Sequence, residues 1–336
     1  MSTRPKLQTV AREAGVSVAT ASQVMRGTGR ISEKTRQVVL EAAKKLHYVP
    51  DGRAAAMRSG ESREIGFTIH QIANPFNAEV ISGVSDLLEA EGYLVSVLDS
   101  QDDSLRQRRQ LETFIRSSRA GLLWVPADHT PDSTLDLLRV HRTPTVTFLR
   151  RAGAQEFDHV GIENFAAMKE ATLHLAGLGH SKIAFLGGVA DVQVRNERIE
   201  GYKAALTEQG LGQPVVWASP DDKQAGLEAM MELHAAHPDI TGVVCNGDMV
   251  ALGACLALSR MGMVPGEDIS VVGFDDVRDA AVVTPALTTM AVSPYLLGQR
   301  LARVLLDRIR TPDLPLVTAR VSAQLMHRET TGPLRC

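Results

Sequence analysis

The chain has 336 residues, 44% hydrophobic and 22% charged, which is the balance of a globular protein too long for one ordinary core. It contains no run of about 18 apolar residues of the kind a membrane span needs, and its N-terminus lacks the apolar stretch of a secretory signal, so the expected compartment is the cytoplasm. Three cysteines, Cys245, Cys255 and Cys336, are an odd number without short paired spacing, which supports neither a disulfide framework nor a zinc ribbon. The net charge of -3 hides an asymmetry: residues 1 to 60 carry eleven Lys+Arg and four acids, a balance of +7, which leaves -10 for the remainder. A small basic head on an acidic body fits a nucleic-acid-binding module joined to something that is not one.

The first predicted helix spans about Leu7 to Ala14, with Val10, Ala11 and Ala14 as its apolar face. Gly15 supplies the positive φ of a tight turn, Ser17 caps the next helix, and Val18 begins it. In that helix Ala21, Val24 and Met25 share one face, leaving Val18, Ala19, Ser22 and Gln23 to point elsewhere, small and polar enough to enter a major groove. Taken alone, the same pattern also suits a capped helix in an ordinary bundle. Ser32 caps a third helix with Glu33 in its first turn and Lys44 and Lys45 in its last, as the helix dipole prefers, and its core face is predicted as Val38, Val39, Ala42 and Leu46.

Residues 50–61, beginning PDGRAAAMRSG, form a short Ala-rich segment that is marginal as a free helix and is expected to fold when held. From Glu64 the pattern becomes α/β alternation, in two runs that divide near Val160. Strands are predicted at 65–69, 94–98, 121–125, 145–149, 182–186, 214–217, 241–245 and 269–274, with helices between them and a last strand around 317–325. Parallel sheets covered on both faces follow, and ligands in such sheets bind outside the carboxyl ends of the strands.

The head TVAREAGVSVATASQVMRGTGRISEKTRQVVLEAAKKLHYVP closely resembles the DNA-binding domain of the lactose and galactose repressor family, and REIGFTI, ANPF, LGHSKIAFLGG, RNERIEGYKAAL, CNGDMVALGA and DISVVGFDD extend the resemblance over nearly the whole chain. It implies an all-α helix-turn-helix head (1–49), a hinge helix (50–61) and an α/β core (62–336) of two doubly wound parallel-sheet lobes like those of periplasmic binding proteins. The N-lobe is expected at about 62–160 plus 291–320 and the C-lobe at about 161–290 plus 321–336. By resemblance Val18, Ala19 and Gln23 read base edges, Thr20, Ser22 and Arg26 contact phosphates, Arg53 belongs to the minor-groove hinge, and Met57 stands where relatives wedge a leucine into the minor groove. Ala55 replaces a frequent arginine, which removes one minor-groove contact.

Phe76, Asn77, Arg198 and Asp275 match effector-binding positions, Arg195 lies one helical turn before Arg198, and Asp221 and Asn246 occupy matching loops. The alternative for Arg198 and Asp275 is a purely structural ion pair. Arg150 stands where relatives carry an aspartate, and because arginine holds anions, it raises the expectation of a phosphorylated or acidic sugar. The resemblance thus implies a homodimeric repressor on a palindromic operator, with a sugar or sugar derivative as effector and no catalytic residue, cofactor, metal or membrane partner. An α/β enzyme is the rival from another class, but no GxGxxG, GK[ST] or GxSxG fingerprint is present. A two-lobed solute-binding protein would have no use for the basic head. Only HRETTGPLRC follows the last predicted strand, which leaves no room for a heptad helix and points to a dimer over a tetramer.

Overall fold

The computed structural model describes residues 5–50, 62–153 and 156–335, and the chain separates into two compact units at residues 62 and 63. The first unit holds α1 (Leu7–Glu13), α2 (Val18–Met25) and α3 (Glu33–Lys45). Gly15 takes φ +64° between α1 and α2, and the Ser17 hydroxyl accepts the Thr20 N–H at 3.0 Å, as Ser32 does for Thr35 at 3.3 Å. Val10, Ala11, Ala21, Val24, Val39, Ala42 and Ala43 form a core of small side chains, so the three helices approach closely. Val38 is a correction: it is exposed, and Ala43 takes the buried place expected of it. Adjacent valines satisfy helical spacing equally well, and only the packing decides between them. Arg53, Ala55 and Met57 lie outside the described residues.

In the second unit the elements are β1 (Glu64–Ile69), α4 (Pro75–Ala90), β2 (Leu94–Asp99), α5 (Ser104–Arg116), β3 (Gly121–Trp124), α6 (Asp132–His141), β4 (Thr145–Phe148) and β5 (Asp158–Ile162). The chain then crosses to α7 (Asn164–Gly177), β6 (Ile183–Leu186), α8 (Gln193–Glu208), β7 (Val215–Trp217), α9 (Lys223–Ala236), β8 (Gly242–Cys245), α10 (Asp248–Arg260), β9 (Ser270–Asp275), α11 (Arg278–Val282) and β10 (Thr288–Ala291). It returns through α12 (Pro294–Arg310) to β11 (Thr318–Val321) and ends on β12 (Gln324–Met326).

One six-stranded sheet runs β2-β1-β3-β4-β5-β11, parallel throughout. The other runs β7-β6-β8-β9-β10-β12, parallel except where β12 pairs antiparallel with β10. Five consecutive buried residues in β1 and six in β9 are what helices on both faces demand.

Three chain crossings join the lobes, after β5, after β10 and after β11. The single strand expected near 317–325 is two strands in two sheets. β5 is likewise absent from the predicted strands: it starts on Asp158, an acid that is 1% exposed and accepts two hydrogen bonds from Arg308 at 2.8 and 2.9 Å. A carboxylate so deeply buried requires such a forked partner, and this one comes from α12.

Candidate functional site

On α2, Val18 and Ala19 are exposed and Gln23 is half-buried, because its carboxamide rests against the turn at Gly29, where an added Cβ would lie 3.0 Å from Gln23 Cδ and Oε1. The Thr20 hydroxyl shares a hydrogen bond with Ser17 at 2.9 Å, and Arg26 Nε donates to the Ser22 carbonyl at 3.2 Å. All six predicted contact residues thus lie on or beside one short helix whose Ala21 and Val24 face the head's own core. This helix presents a narrow, mostly uncharged outward edge.

The second unit has a cavity of about 470 Å³ between its lobes, within the usual range for small-molecule sites. Its walls come from the carboxyl ends of parallel strands: His70 after β1, Asp99 ending β2 and Asp102 after it, Arg150 after β4, Gly188 after β6, Asn246 after β8 and Asp275 ending β9.

The C-lobe wall is a hydrogen-bonded network of charges. Arg198 is 5% exposed; it lies 3.7 Å from the centroid of Phe274, donates through Nε to Asn164 Oδ1 at 3.0 Å, and donates through Nη1 to the Asn246 carbonyl. Asn246 Nδ2 in turn donates to both oxygens of Asp221 at 2.9 and 3.0 Å. Arg195 donates to the Gly187 carbonyl at 2.8 Å. A Cβ at Gly188 would come within 2.6 Å of Arg195 Cδ and 2.8 Å of Asn246 Cγ, so only glycine admits both side chains.

Arg198 and Asp275 form no direct ion pair or hydrogen bond, and the purely structural pairing is not what the geometry displays. Among the described residues the Asp275 carboxylate has no hydrogen-bond or ion-pair partner, and it sits on a backbone with φ +118°, a conformation rare for a non-glycine residue. Burial pushes the carboxyl of Asp275 well above the usual carboxylate range, opposed by the nearby Arg198 charge. Burial raises Asp221 likewise and lowers Arg198. Such a wall has the chemistry to exchange hydrogen bonds with the donors and acceptors of a small molecule.

The N-lobe wall is different. Phe76 stacks on Phe148 with centroids 6.3 Å apart and planes 6° from parallel, and Asn74 caps α4 by accepting the Phe76 N–H at 3.0 Å. Asn77 does not line the cavity; it donates to the Gln71 carbonyl at 2.7 Å and so holds the loop before α4. Arg150 is already engaged: Nη1 lies 2.5 Å from Asp102 Oδ1 and 3.3 Å from the Pro126 carbonyl. The arginine expected to offer its charge to an anionic effector thus has a counter-anion within the protein. His70 sits beside the pair with a buried Nδ1 that has no partner among the described residues, and burial, reinforced by Arg150, lowers its pKa to about 4.

Sequence reasoning missed His70, Asp99, Asp102 and the supporting Asn164. The first three lie at the carboxyl ends of β1 and β2, so the strand-end rule, applied to every strand and not only to those of recognisable phrases, would have found them. Asn164 carries no such signal.

An independent head that presents a capped second helix outward, joined to two α/β lobes around a polar cavity, defines a DNA-binding regulator that responds to a small molecule. Comparison with known proteins agrees. Residues 6–51 match the family model of bacterial regulatory proteins, lacI family, and residues 172–331 match a periplasmic binding protein-like domain. The chain is 31% identical over 335 residues to the HTH-type transcriptional repressor PurR of Erwinia tasmaniensis, with 98% of each chain covered. It superposes on the transcriptional regulator CelR in complex with cellobiose with a TM-score of 0.74 and 28% identity, covering 97% of this chain and all of the other. The lac repressor dimer bound to operator shares the fold with a TM-score of 0.85, at 24% identity and with 98% and 100% of the two chains covered. The chain belongs to the lacI family of bacterial regulatory proteins, whose members are transcriptional regulators and not enzymes. Among the described residues no helix is long and apolar enough to cross a membrane.

Proposed function

We propose that the protein is a cytoplasmic, homodimeric repressor that binds a palindromic operator and is controlled by a sugar or sugar derivative bound between the lobes of its core. The observation that supports this most directly is the Asp275 carboxylate, which faces the interlobe cavity without a protein partner while its neighbours Arg198, Asn246 and Asp221 are engaged with one another. Hydroxyl groups of a polyol supply the missing donors, and Phe76 offers an apolar edge to the ring. Arg195 and Arg198 accompany them on the C-lobe side. The similar regulator CelR forms a complex with cellobiose, a neutral sugar. Closure of the lobes on the effector changes operator affinity only as far as the ligand prefers one lobe arrangement.

At the operator, Gln23 hydrogen-bonds one base, Val18 and Ala19 contact thymine methyls, and Thr20, Ser22 and Arg26 hold phosphates. Arg53 and Met57 act in the central minor groove, Met57 as the wedge, so half-site spacing and duplex deformability carry much of the specificity. Selection of bound sites from random duplexes, followed by titration at increasing salt, tests the reading. A palindrome bound with a steep salt slope is expected. Light scattering should give twice the chain mass of 36.3 kDa. Gln23→Ala should cost roughly tenfold in discrimination at one base pair per half-site, whereas Met57→Ala should weaken all specific sites. Base preferences unchanged by Gln23→Ala would refute the assigned register of α2.

A further inference from the structure

The geometry points to Asp102 as a specificity-determining residue: by holding Arg150 as an internal ion pair, it makes the cavity select neutral polyhydroxylated effectors and reject phosphorylated or carboxylated ones. This inference rests on the cavity being the effector site. Three features make the pair a built part of the wall rather than a chance surface contact. Arg150 is largely buried, its side chain 11% exposed, so its charge is not screened by water. Asp102 is anchored from behind by the Asp128 N–H at 3.0 Å, in the loop after β3, while Arg150 reaches the Pro126 carbonyl of that same loop. That loop is itself fixed by Gln107, which donates to the Val125 carbonyl at 2.9 Å and accepts from the Ala127 N–H at 2.9 Å.

The backbone also commits both partners to this pairing. Asp102 has φ +58°, and Leu149, immediately before Arg150, has φ +59°. Side-chain residues keep such conformations only where surrounding contacts over-determine them.

The balance of charge around the cavity follows. Arg150, Arg195 and Arg198 face Asp99, Asp102, Asp221 and Asp275, so the lining holds no excess of cations. Arg198 is committed to Asn164, Asn246 and the Phe274 ring. A phosphate or carboxylate would have to displace Asp102 from a desolvated partner or sit beside carboxylates, and either route is unfavourable. A hydroxyl group meets no such barrier.

The test uses the full chain and two probes, inorganic phosphate and a panel of neutral mono- and disaccharides, read by thermal shift and by calorimetry. Native protein should respond to a neutral sugar and not to phosphate. Asp102→Asn should gain phosphate affinity by tenfold or more, and adding Arg150→Gln to that variant should abolish the gain, which excludes phosphate bound at the basic head. If Asp102→Asn does not fold, Asp102→Ser takes its place in the same series. Native phosphate binding that Arg150→Gln abolishes overturns the proposal, because it would show that the arginine is free. No gain in either Asp102 variant also overturns it, and leaves the effector-site reading standing if a neutral sugar still stabilises the native chain. No response to sugar or phosphate in any form overturns both.

Discussion

The two walls of the interlobe cavity solve the same problem, presenting polar chemistry in a desolvated space, by opposite means. On the C-lobe side Arg198, Asn164, Asn246 and Asp221 form one continuous hydrogen-bonded array, and the nearby Arg198 charge opposes the rise that burial imposes on the Asp275 carboxyl. On the N-lobe side an aromatic stack, one self-neutralised ion pair and a neutral histidine carry the wall. The first wall is tightly coupled, so damage to one member spreads. The second is modular, so each part can be altered with a local effect.

The largest expected effect follows from the coupled wall. Arg198→Met keeps the apolar contact with Phe274 but removes both hydrogen bonds and the positive charge that Asp275 and Asp221 rely on. Truncating one member of a buried, hydrogen-bonded charge network at a binding surface costs about 3 kcal/mol or more of binding energy, so at least a 100-fold loss of effector affinity is expected. Calorimetry with the effector and operator binding at saturating effector both report it. A loss below tenfold would mean that the wall is not coupled in this way.

A smaller effect distinguishes the N-lobe side. His159 on β5 bonds the Thr147 hydroxyl through Nδ1 at 3.0 Å and is 5% exposed; burial lowers its pKa to about 4, and Arg151 and Arg320 push the same way. Above the ordinary value of 6.5 both folded and unfolded forms are neutral. Below it the unfolded chain takes up a proton that the folded chain refuses, so stability present at neutral pH is lost as pH falls toward 4. The loss is about 2 kcal/mol at pH 5. Urea unfolding of native protein and His159→Gln at pH 7 and pH 5 isolates this contribution, since every other titrating group is shared. The variant should lose less stability on acidification, and equal losses would remove His159 from the account.

How much of this was legible in the sequence differs in the same way between regions. The head could be read because each signal is local: Ser17 and Ser32 are caps, Gly15 is a turn, and small apolar residues recur at helical spacing. In the core the α/β alternation was equally plain. What escaped were elements fixed by distant partners. β5 opens on Asp158, which Arg308 on α12 and the Val317 N–H make tolerable inside a sheet, and β10 is a four-residue strand, TTMA, without an apolar run. The helix α12 was legible in principle from Leu297, Leu301 and Leu305, which are all buried. At the cavity, the C-lobe residues were found by resemblance to relatives. Asp102 was not, because positive-φ loops bring it to Arg150 across 48 residues of chain, and the identity of Arg150 alone gives no sign of that partner.

The smallest effect is expected where the two walls touch. Gln193, at the start of α8, accepts the Arg151 N–H at 3.2 Å across the interlobe gap and donates to Glu197 Oε1 at 3.1 Å. Glu197 Oε2 accepts from Asn164 Nδ2 at 3.0 Å, and Asn164 is the residue that holds Arg198. Gln193 itself does not line the cavity, so any influence on the effector must pass through the lobe arrangement. The contact is exposed and uncharged, and its loss in Gln193→Ala is worth about 0.5–1 kcal/mol, a two- to fivefold weakening of effector binding. We expect the weakening to appear mainly as faster effector release in stopped-flow measurements, with the association rate nearly unchanged. Combining it with Glu197→Ala gives the decisive comparison: if the array transmits lobe closure to Arg198, the double variant loses less than the sum of the single losses. Strict additivity would confine the coupled array to the C-lobe wall and leave the Gln193 contact an isolated tether.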